Sequence, residues 1–421
     1  KKTTGSPQAS DFPSFALPII MASIVCLIFV AACGLSFWFL KGKMTINLSS
    51  KKFYLDTKAD YNSFLVSIPG LPTRFSFKEL QVATNGFNTK LGEGGFGSVY
   101  EGTMPDGTRV AVKRLEAIGQ GQKEFQAEIS IIGQINHVHL VQLHGFCMEG
   151  PHRLLVYEFM PHGSLDKCLF IEDKDENKWK PALDWQTRYR IALGTARGLA
   201  YLHDDCREKI IHCDIKPENI LLDEDYNAKV SDFGLAKLIH KQEQNHVFTT
   251  MRGTRGYLAP EWVMNLAISE KSDVYSFGMV LLEIVSGRRN IWGQRSEETY
   301  FPLYAFEQTQ KDELELLLDE KLRGSVPKDE IRILVRVALW CIQEEISSRP
   351  SMATVVEMLE RKMEIPNPPF SPFFAARMHA HLVEAMNTVV NHSSSRSNSF
   401  YFDKTYRHTN MLSAIQLSQA R

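Results

Sequence analysis

Two acidic strings, His212-Cys213-Asp214-Ile215-Lys216-Pro217-Glu218-Asn219 and Asp232-Phe233-Gly234, constrain this chain more than any other feature. Asn219 and Asp232 stand 13 positions apart. That interval fits two short strands and a turn, Ile220-Leu221-Leu222, then Asp223-Glu224-Asp225, then Ala228-Lys229-Val230. A hairpin of that size gathers a candidate base, an amine and two oxygen donors at one mouth. Short acidic strings are common, so neither settles a function alone. The stretch from Asp223 to Asn227 also resembles the start of a calcium loop, but Ala228 stands where that loop needs Gly and Gly234 where it needs Glu. It reads as a turn.

Upstream, Leu91-Gly92-Glu93-Gly94-Gly95-Phe96-Gly97-Ser98-Val99 carries the spacing G-x-G-x-x-G-x-V. Glycines let backbone N–H groups approach phosphate oxygens where a Cβ would collide. A lone glycine pattern of this kind could equally open a dinucleotide-binding unit. Here the residues that follow read as a strand rather than a helix, which argues against that alternative. Next comes Val110-Ala111-Val112-Lys113, an apolar strand ending in a lysine that is costly to bury unless paired. The helical stretch from Gln122 to Ile135 places Phe125, Ile129 and Ile132 on one face. Glu128 adjoins that apolar stripe and is the favoured partner, with Glu124, one turn earlier, as its rival. Together these parts match what phosphoryl transfer from ATP asks of a protein.

With four motifs in this order, the chain resembles a eukaryotic protein kinase from about Phe75 to about Met363. The run Arg74-Phe75-Ser76-Phe77-Lys78-Glu79-Leu80 followed by Ala83-Thr84-Asn85-Gly86-Phe87 resembles the opening segment of plant receptor-like kinases. The string through Cys213, and Gly253-Thr254-Arg255-Gly256-Tyr257-Leu258-Ala259-Pro260-Glu261-Trp262, resemble the G-type lectin S-receptor-like serine/threonine kinases. The resemblance implies an α+β, bilobal kinase fold. It implies Asp214 as the base, Lys216 as the lysine that steadies the transferred phosphoryl group, and Asn219 and Asp232 as ligands of Mg2+. It implies that Gly92 to Ser98 cover the phosphates of ATP and that Lys113, held by Glu128, contacts them. Adenine would lie between Leu91, Val99 and Ala111 above and Leu221 below, its edge bonded to the backbone of Glu158 and Met160, with Tyr157 as gatekeeper. Lys216 and Thr254 point to serine and threonine acceptors. Glu261 with Arg349 resembles the family's buried ion pair, and Asp273 would anchor the catalytic loop's backbone.

One departure stands out. Cys213 precedes the base where many kinases have an arginine that pairs with a phosphate on the activation loop. Thr249, Thr250 and Thr254 remain as activation-loop acceptors, so catalysis is expected to depend less on loop phosphorylation than in arginine-containing relatives.

The first part of the chain is of another kind. No charged residue occurs from Phe15 to Leu40, 26 positions. As a helix that run is roughly 39 Å long, more than the roughly 30 Å hydrocarbon core of a bilayer. It reads as a single transmembrane helix. A signal peptide would be shorter in its apolar part. Lys41, Lys43, Lys51 and Lys52 follow it and Asp11 precedes it, which puts the C-terminal side in the cytosol, most simply at the plasma membrane. Those lysines fit an anionic lipid surface and a solvated linker about equally.

The expected organisation is therefore an extracellular stub at 1–14, the span at 15–40, a juxtamembrane segment at 41–86, the kinase domain at 87–363 and a Ser-rich disordered tail at 364–421. The chain opens on Lys1 rather than Met and reads as a fragment or mature form. Net charge is −1, which gives no sign of nucleic-acid binding. Its seven cysteines include no C-x-x-C pair, so neither zinc nor a disulfide framework is indicated. The expected partners are ATP, protein substrates, the membrane through one span, and other receptor kinases as homo- or hetero-oligomers. The rival expectations are a pseudokinase scaffold, which Lys113, Glu128, Asp214, Asn219 and Asp232 argue against, and a ligand-binding receptor, for which a longer parent chain would have to supply the ectodomain.

Overall fold

The computed structural model describes residues 72–94, 97–115, 120–133, 135–170, 183–239, 253–264, 266–290 and 301–369. The expected stub, span, Gly95, Phe96, Thr249, Thr250 and nearly all of the serine-rich tail lie outside the described residues. Among the described residues, no helix is long and apolar enough to cross a membrane.

Regular structure already occurs within the expected juxtamembrane segment. Strand β1 (Thr73–Arg74) leads into helix α1 (Phe77–Ala83), which starts on a capping box: Glu79 N–H donates to the Ser76 side chain while the Glu79 carboxylate accepts from Ser76 N–H. Sheet strands follow as β2 (Lys90–Gly94), β3 (Gly97–Thr103) and β4 (Arg109–Arg114), then helix α2 (Gln120–Ile132), β5 (Leu143–Glu149) and β6 (His152–Glu158). The six strands run in the order β1-β5-β6-β4-β3-β2. All pairings are antiparallel except β1 on β5. That parallel strand is what fixes Gly145, since a Cβ there would sit 2.2 Å from Thr73 O. Alternate residues of β4 and β6, Val110, Val112, Leu154 and Val156, are buried with Leu80 and Cys147 in one core. Phe125, Ile129 and Ile132 of α2 are buried as their spacing predicts.

The second lobe is mainly helical, with short strands at its top. It comprises β7 (Gly163–Ser164), α3 (Leu165–Leu169), α4 (Trp185–Ala200), β8 (Lys209–Ile211), β9 (Ile220–Leu222), β10 (Ala228–Val230) and β11 (Lys237–Ile239). Then come α5 (Pro260–Val263), α6 (Glu270–Ser286), α7 (Phe301–Gln310), α8 (Lys328–Cys341) and α9 (Met352–Leu359). Helix α4 is capped by Asp184, which accepts from Thr187 N–H at 3.0 Å. The sequence pattern predicts a helix from Leu183 to His203. In the structure the α-helix stops at Ala200 and widens into a π turn over Tyr201–Asp205, closed by Cys206 N–H on Tyr201 O. Helix α6 is buried on almost every face and forms the axis of the lobe. It ends at Gly287, whose φ of 64° needs glycine, and a Cβ there would also strike Asp319.

Candidate active site

Strands β9 and β10 form the expected hairpin, with Ala228 paired to Leu222 and Val230 to Ile220. The hairpin sets Asn219 and Asp232 at its two open ends. Ser231 N–H and its hydroxyl both bond to Asn219 O, at 2.8 and 3.0 Å, and close that mouth. Asp232 itself adopts a left-handed backbone, φ 65°, a conformation costly for a non-glycine residue and held by what surrounds it. Phe233 is buried against the His212 ring, edge to face at 4.9 Å.

Lys113 Nζ lies 2.5 Å from Glu128 Oε1 and 2.8 Å from Asp232 Oδ1. Strand β4, helix α2 and the Asp232 turn thus converge on one ammonium group. Glu128, rather than its rival Glu124, makes this contact; both are buried. Burial pushes the Glu128 carboxyl up to about 7, with Lys113 opposing the rise. Burial also acts to raise Asp232, but the Lys113 ammonium overrides it and holds that carboxyl below its ordinary value. Tyr157, from the end of β6, donates its hydroxyl to the second Glu128 oxygen.

A second cluster surrounds Asp214. Lys216 Nζ is 2.8 Å from Asp214 Oδ2, and Asn219 Nδ2 donates to Asp214 O at 2.8 Å and to Oδ2 at 3.1 Å. The Thr254 hydroxyl donates to Asp214 Oδ1 at 2.7 Å and accepts from Lys216 at 2.7 Å. The carboxylate is therefore aimed by an amide, an ammonium and a hydroxyl. Its loop is anchored from below, because Asp273 accepts His212 N–H at 2.7 Å, Cys213 N–H at 2.9 Å and bonds His203 Nε2 at 2.9 Å. These contacts hold Cys213 at a φ of 67°. The Cys213 thiol is buried, with Sγ 3.6 Å from Ile211 O, and burial raises its pKa well above the ordinary thiol range.

Of the remaining expected residues, Leu91, Gly92, Glu93 and Gly94 lie on β2, and Gly97, Ser98 and Val99 on β3. Ala111 lies on β4, Leu221 on β9, and Glu158 at the end of β6. Leu91, Val99, Ala111 and Leu221 are half-buried. The Glu158 carboxylate binds Lys229 Nζ at 2.9 and 3.0 Å, joining the end of β6 to β10. Glu261 and Arg349 form a buried two-pronged pair at 2.8 and 2.9 Å, with Ser272 also donating to Glu261 at 2.6 Å. Among the described residues no group of three or more His, Cys, Asp or Glu is arranged to hold a metal. Asn219 and Asp232 are oxygen donors, and two such donors suit Mg2+ where phosphates and water complete its shell. Sequence reasoning missed the Tyr157–Glu128 bond and the contacts of Arg289 described below, for which the one-dimensional pattern holds no signal.

A strand-rich lobe and a helical lobe, with paired lysine and carboxylates at the cleft and a loop-borne aspartate below, define a phosphoryl-transfer scaffold. The chain belongs to the protein tyrosine and serine/threonine kinase family, whose sequence profile matches residues 86–359. It is 52% identical over 376 residues to the G-type lectin S-receptor-like serine/threonine-protein kinase SD2-5 of Arabidopsis thaliana, covering 88% of this chain and 45% of that relative. A second Arabidopsis thaliana G-type lectin S-receptor-like serine/threonine-protein kinase is 46% identical over 442 residues, covering 95% and 49%. An Arabidopsis thaliana "Probable receptor-like protein kinase" is 44% identical over 321 residues, covering 73% and 71%. The chain thus spans about half the length of the first two relatives, and its domain is of the serine/threonine protein kinase class.

Proposed function

We propose that this protein is an active, membrane-anchored serine/threonine kinase that transfers the γ-phosphate of ATP to protein hydroxyls in receptor-type signalling. The observation that carries this reading is the Lys113 ammonium, bonded at once to Glu128 and to Asp232, which stands with Asn219 at the open end of the hairpin. Gly92 to Ser98 cover the triphosphate, and adenine fills the half-buried space among Leu91, Val99, Ala111 and Leu221, with its edge on the backbone of Glu158 and Met160. Lys113 contacts the α- and β-phosphates, fixed in direction by Glu128, while Tyr157 closes the back of the pocket. Asn219 and Asp232 would hold Mg2+, which would neutralise charge on the phosphates.

Asp214 accepts the proton of the acceptor hydroxyl as the new P–O bond forms and ADP leaves. Asn219 and Thr254 aim its carboxylate, and Lys216 places positive charge beside the group in transit. The uncharged run at 15–40 supports a single span, and the lysines that follow it support a cytosolic kinase domain at the plasma membrane. Association with other receptor kinases fits the same reading. Purified protein given Mg2+ and radiolabelled ATP should phosphorylate a serine- or threonine-bearing protein, and Asp214→Asn should lower kcat by about 10²- to 10⁴-fold while nucleotide binding survives. Full activity in the variant would remove Asp214 from its role. Nucleotide binding without transfer in the parent protein would make the domain a pseudokinase.

A further inference from the structure

Arg289 lies two residues beyond the Gly287 turn that ends α6. Its Nη1 donates to Glu218 Oε1 at 2.6 Å and to the Tyr257 hydroxyl at 3.3 Å, and its Nη2 lies 3.9 Å from Asp166 Oδ2. The guanidinium also sits 4.3 Å from the centroid of the Phe170 ring. These partners come from three separate segments: the turn at Pro217–Asn219, the α3 region, and the stretch after Thr254. Two of them lead straight to the acceptor position. Glu218 is two residues along from Lys216, Tyr257 is three along from Thr254, and both Lys216 and Thr254 bond to Asp214.

The charge at this spot is unbalanced. One guanidinium faces the carboxylates of Glu218 and Asp166, and the Tyr257 hydroxyl donates its hydrogen bond to a third carboxyl, Glu283, at 2.8 Å. Glu218 Oε2 and Asp166 Oδ1 are buried with no hydrogen-bond partner. The Arg289 side chain is 41% exposed, so this acidic corner reaches solvent, within three residues of the Lys216 and Thr254 that bond Asp214.

We propose that Arg289 is a specificity-determining residue. Its guanidinium fills, from within the chain, an acidic subsite beside the acceptor hydroxyl that would otherwise take an arginine of the substrate. Substrates are then chosen without a basic flanking residue, because a second cation would meet an occupied and repulsive site. This inference rests on the kinase reading above.

The test uses the full chain and serine peptides carrying either neutral flanks or a single arginine at successive positions on either side of the serine. The parent protein should use no arginine peptide better than the neutral one, and should disfavour the affected arginine position by up to about threefold in kcat/KM, the scale of an exposed charge pair. Arg289→Ala and Arg289→Gln should each gain about tenfold for one arginine position relative to the neutral peptide, the scale of one charge-assisted hydrogen bond. Adding Glu218→Gln should cancel that gain. A parent protein that already strongly prefers an arginine overturns the proposal, and this needs no variant to fold. An equal fall on every peptide, with no shift in preference, also overturns it and makes Arg289 a structural strut. Failure of the parent to phosphorylate any peptide or protein counts against the kinase reading instead.

Discussion

The Tyr157 hydroxyl bonds to Oε2 of Glu128, whose Oε1 stands 2.5 Å from Lys113. A residue expected only to wall the nucleotide pocket therefore also holds the carboxylate that pairs with Lys113. Strand β6 and helix α2 are joined across the back of the cleft by this bond.

Removing that hydroxyl in Tyr157→Phe leaves a buried carboxylate oxygen without its donor, at a cost of about 1–3 kcal/mol. Urea unfolding should register this loss, and kcat/KM for ATP should fall by roughly tenfold, equivalent to about 1.4 kcal/mol. Unchanged kinetics with ATP would show that Lys113 alone sets the position of Glu128.

Arg349 is buried completely and joins Glu261 on α5 to the backbone of Lys271 and Gln343. Replacing it by alanine strands a buried carboxylate and should cost about 3–5 kcal/mol. The double replacement by apolar residues, Glu261→Met with Arg349→Met, should lose less than Arg349→Ala alone. Denaturant midpoints of the two variants give the comparison. Equal losses would mean that packing, not charge, dominates the site.

Glu283 gives the domain a pH dependence. Burial pushes its carboxyl from the ordinary 4.5 up to about 7, against the Asn290 N–H, the Tyr257 hydroxyl and Arg289, while Glu218 adds to the rise. The folded state then binds this proton more tightly than the unfolded chain does. Its contribution to stability is complete below 4.5 and fades as pH rises through about 7. Measured by denaturation across that window, Glu283→Gln should become progressively more stable relative to the parent as pH rises. A difference that stays flat with pH would place the Glu283 titration elsewhere.

Cys213 offers no cation to a phosphorylated loop, since its thiol is buried and points to Ile211 O. Joint replacement of Thr249 and Thr250 by alanine should therefore leave at least about a third of the parent activity, where an arginine-dependent switch would lose orders of magnitude. Abolished activity in a kinase assay of the double variant would contradict this.

The hairpin was legible in the sequence because a turn-forming acidic run between two apolar triplets leaves the chain little choice. The α2 stripe was legible for the same reason: Phe125, Ile129 and Ile132 repeat at helical spacing and must find a core. Asp273 and the Glu261–Arg349 pair were reached through resemblance, since nothing local in the sequence joins residues 88 positions apart. The short run Thr73–Arg74 has no strand pattern of its own and becomes a strand only by pairing with β5.

Local spacing by itself determined which residues form the hairpin, the glycine-flanked strands and the apolar helix faces, because those patterns follow from backbone periodicity and turn chemistry. Only the tertiary structure decided which oxygen each donor meets. Tyr157 on Glu128, Thr254 on Asp214 and Arg289 on Glu218 each join segments separated by many residues, and such bonds depend on how whole elements pack. A hydrogen bond is fixed to within a few tenths of an ångström by that packing, and no pattern along the chain carries this information.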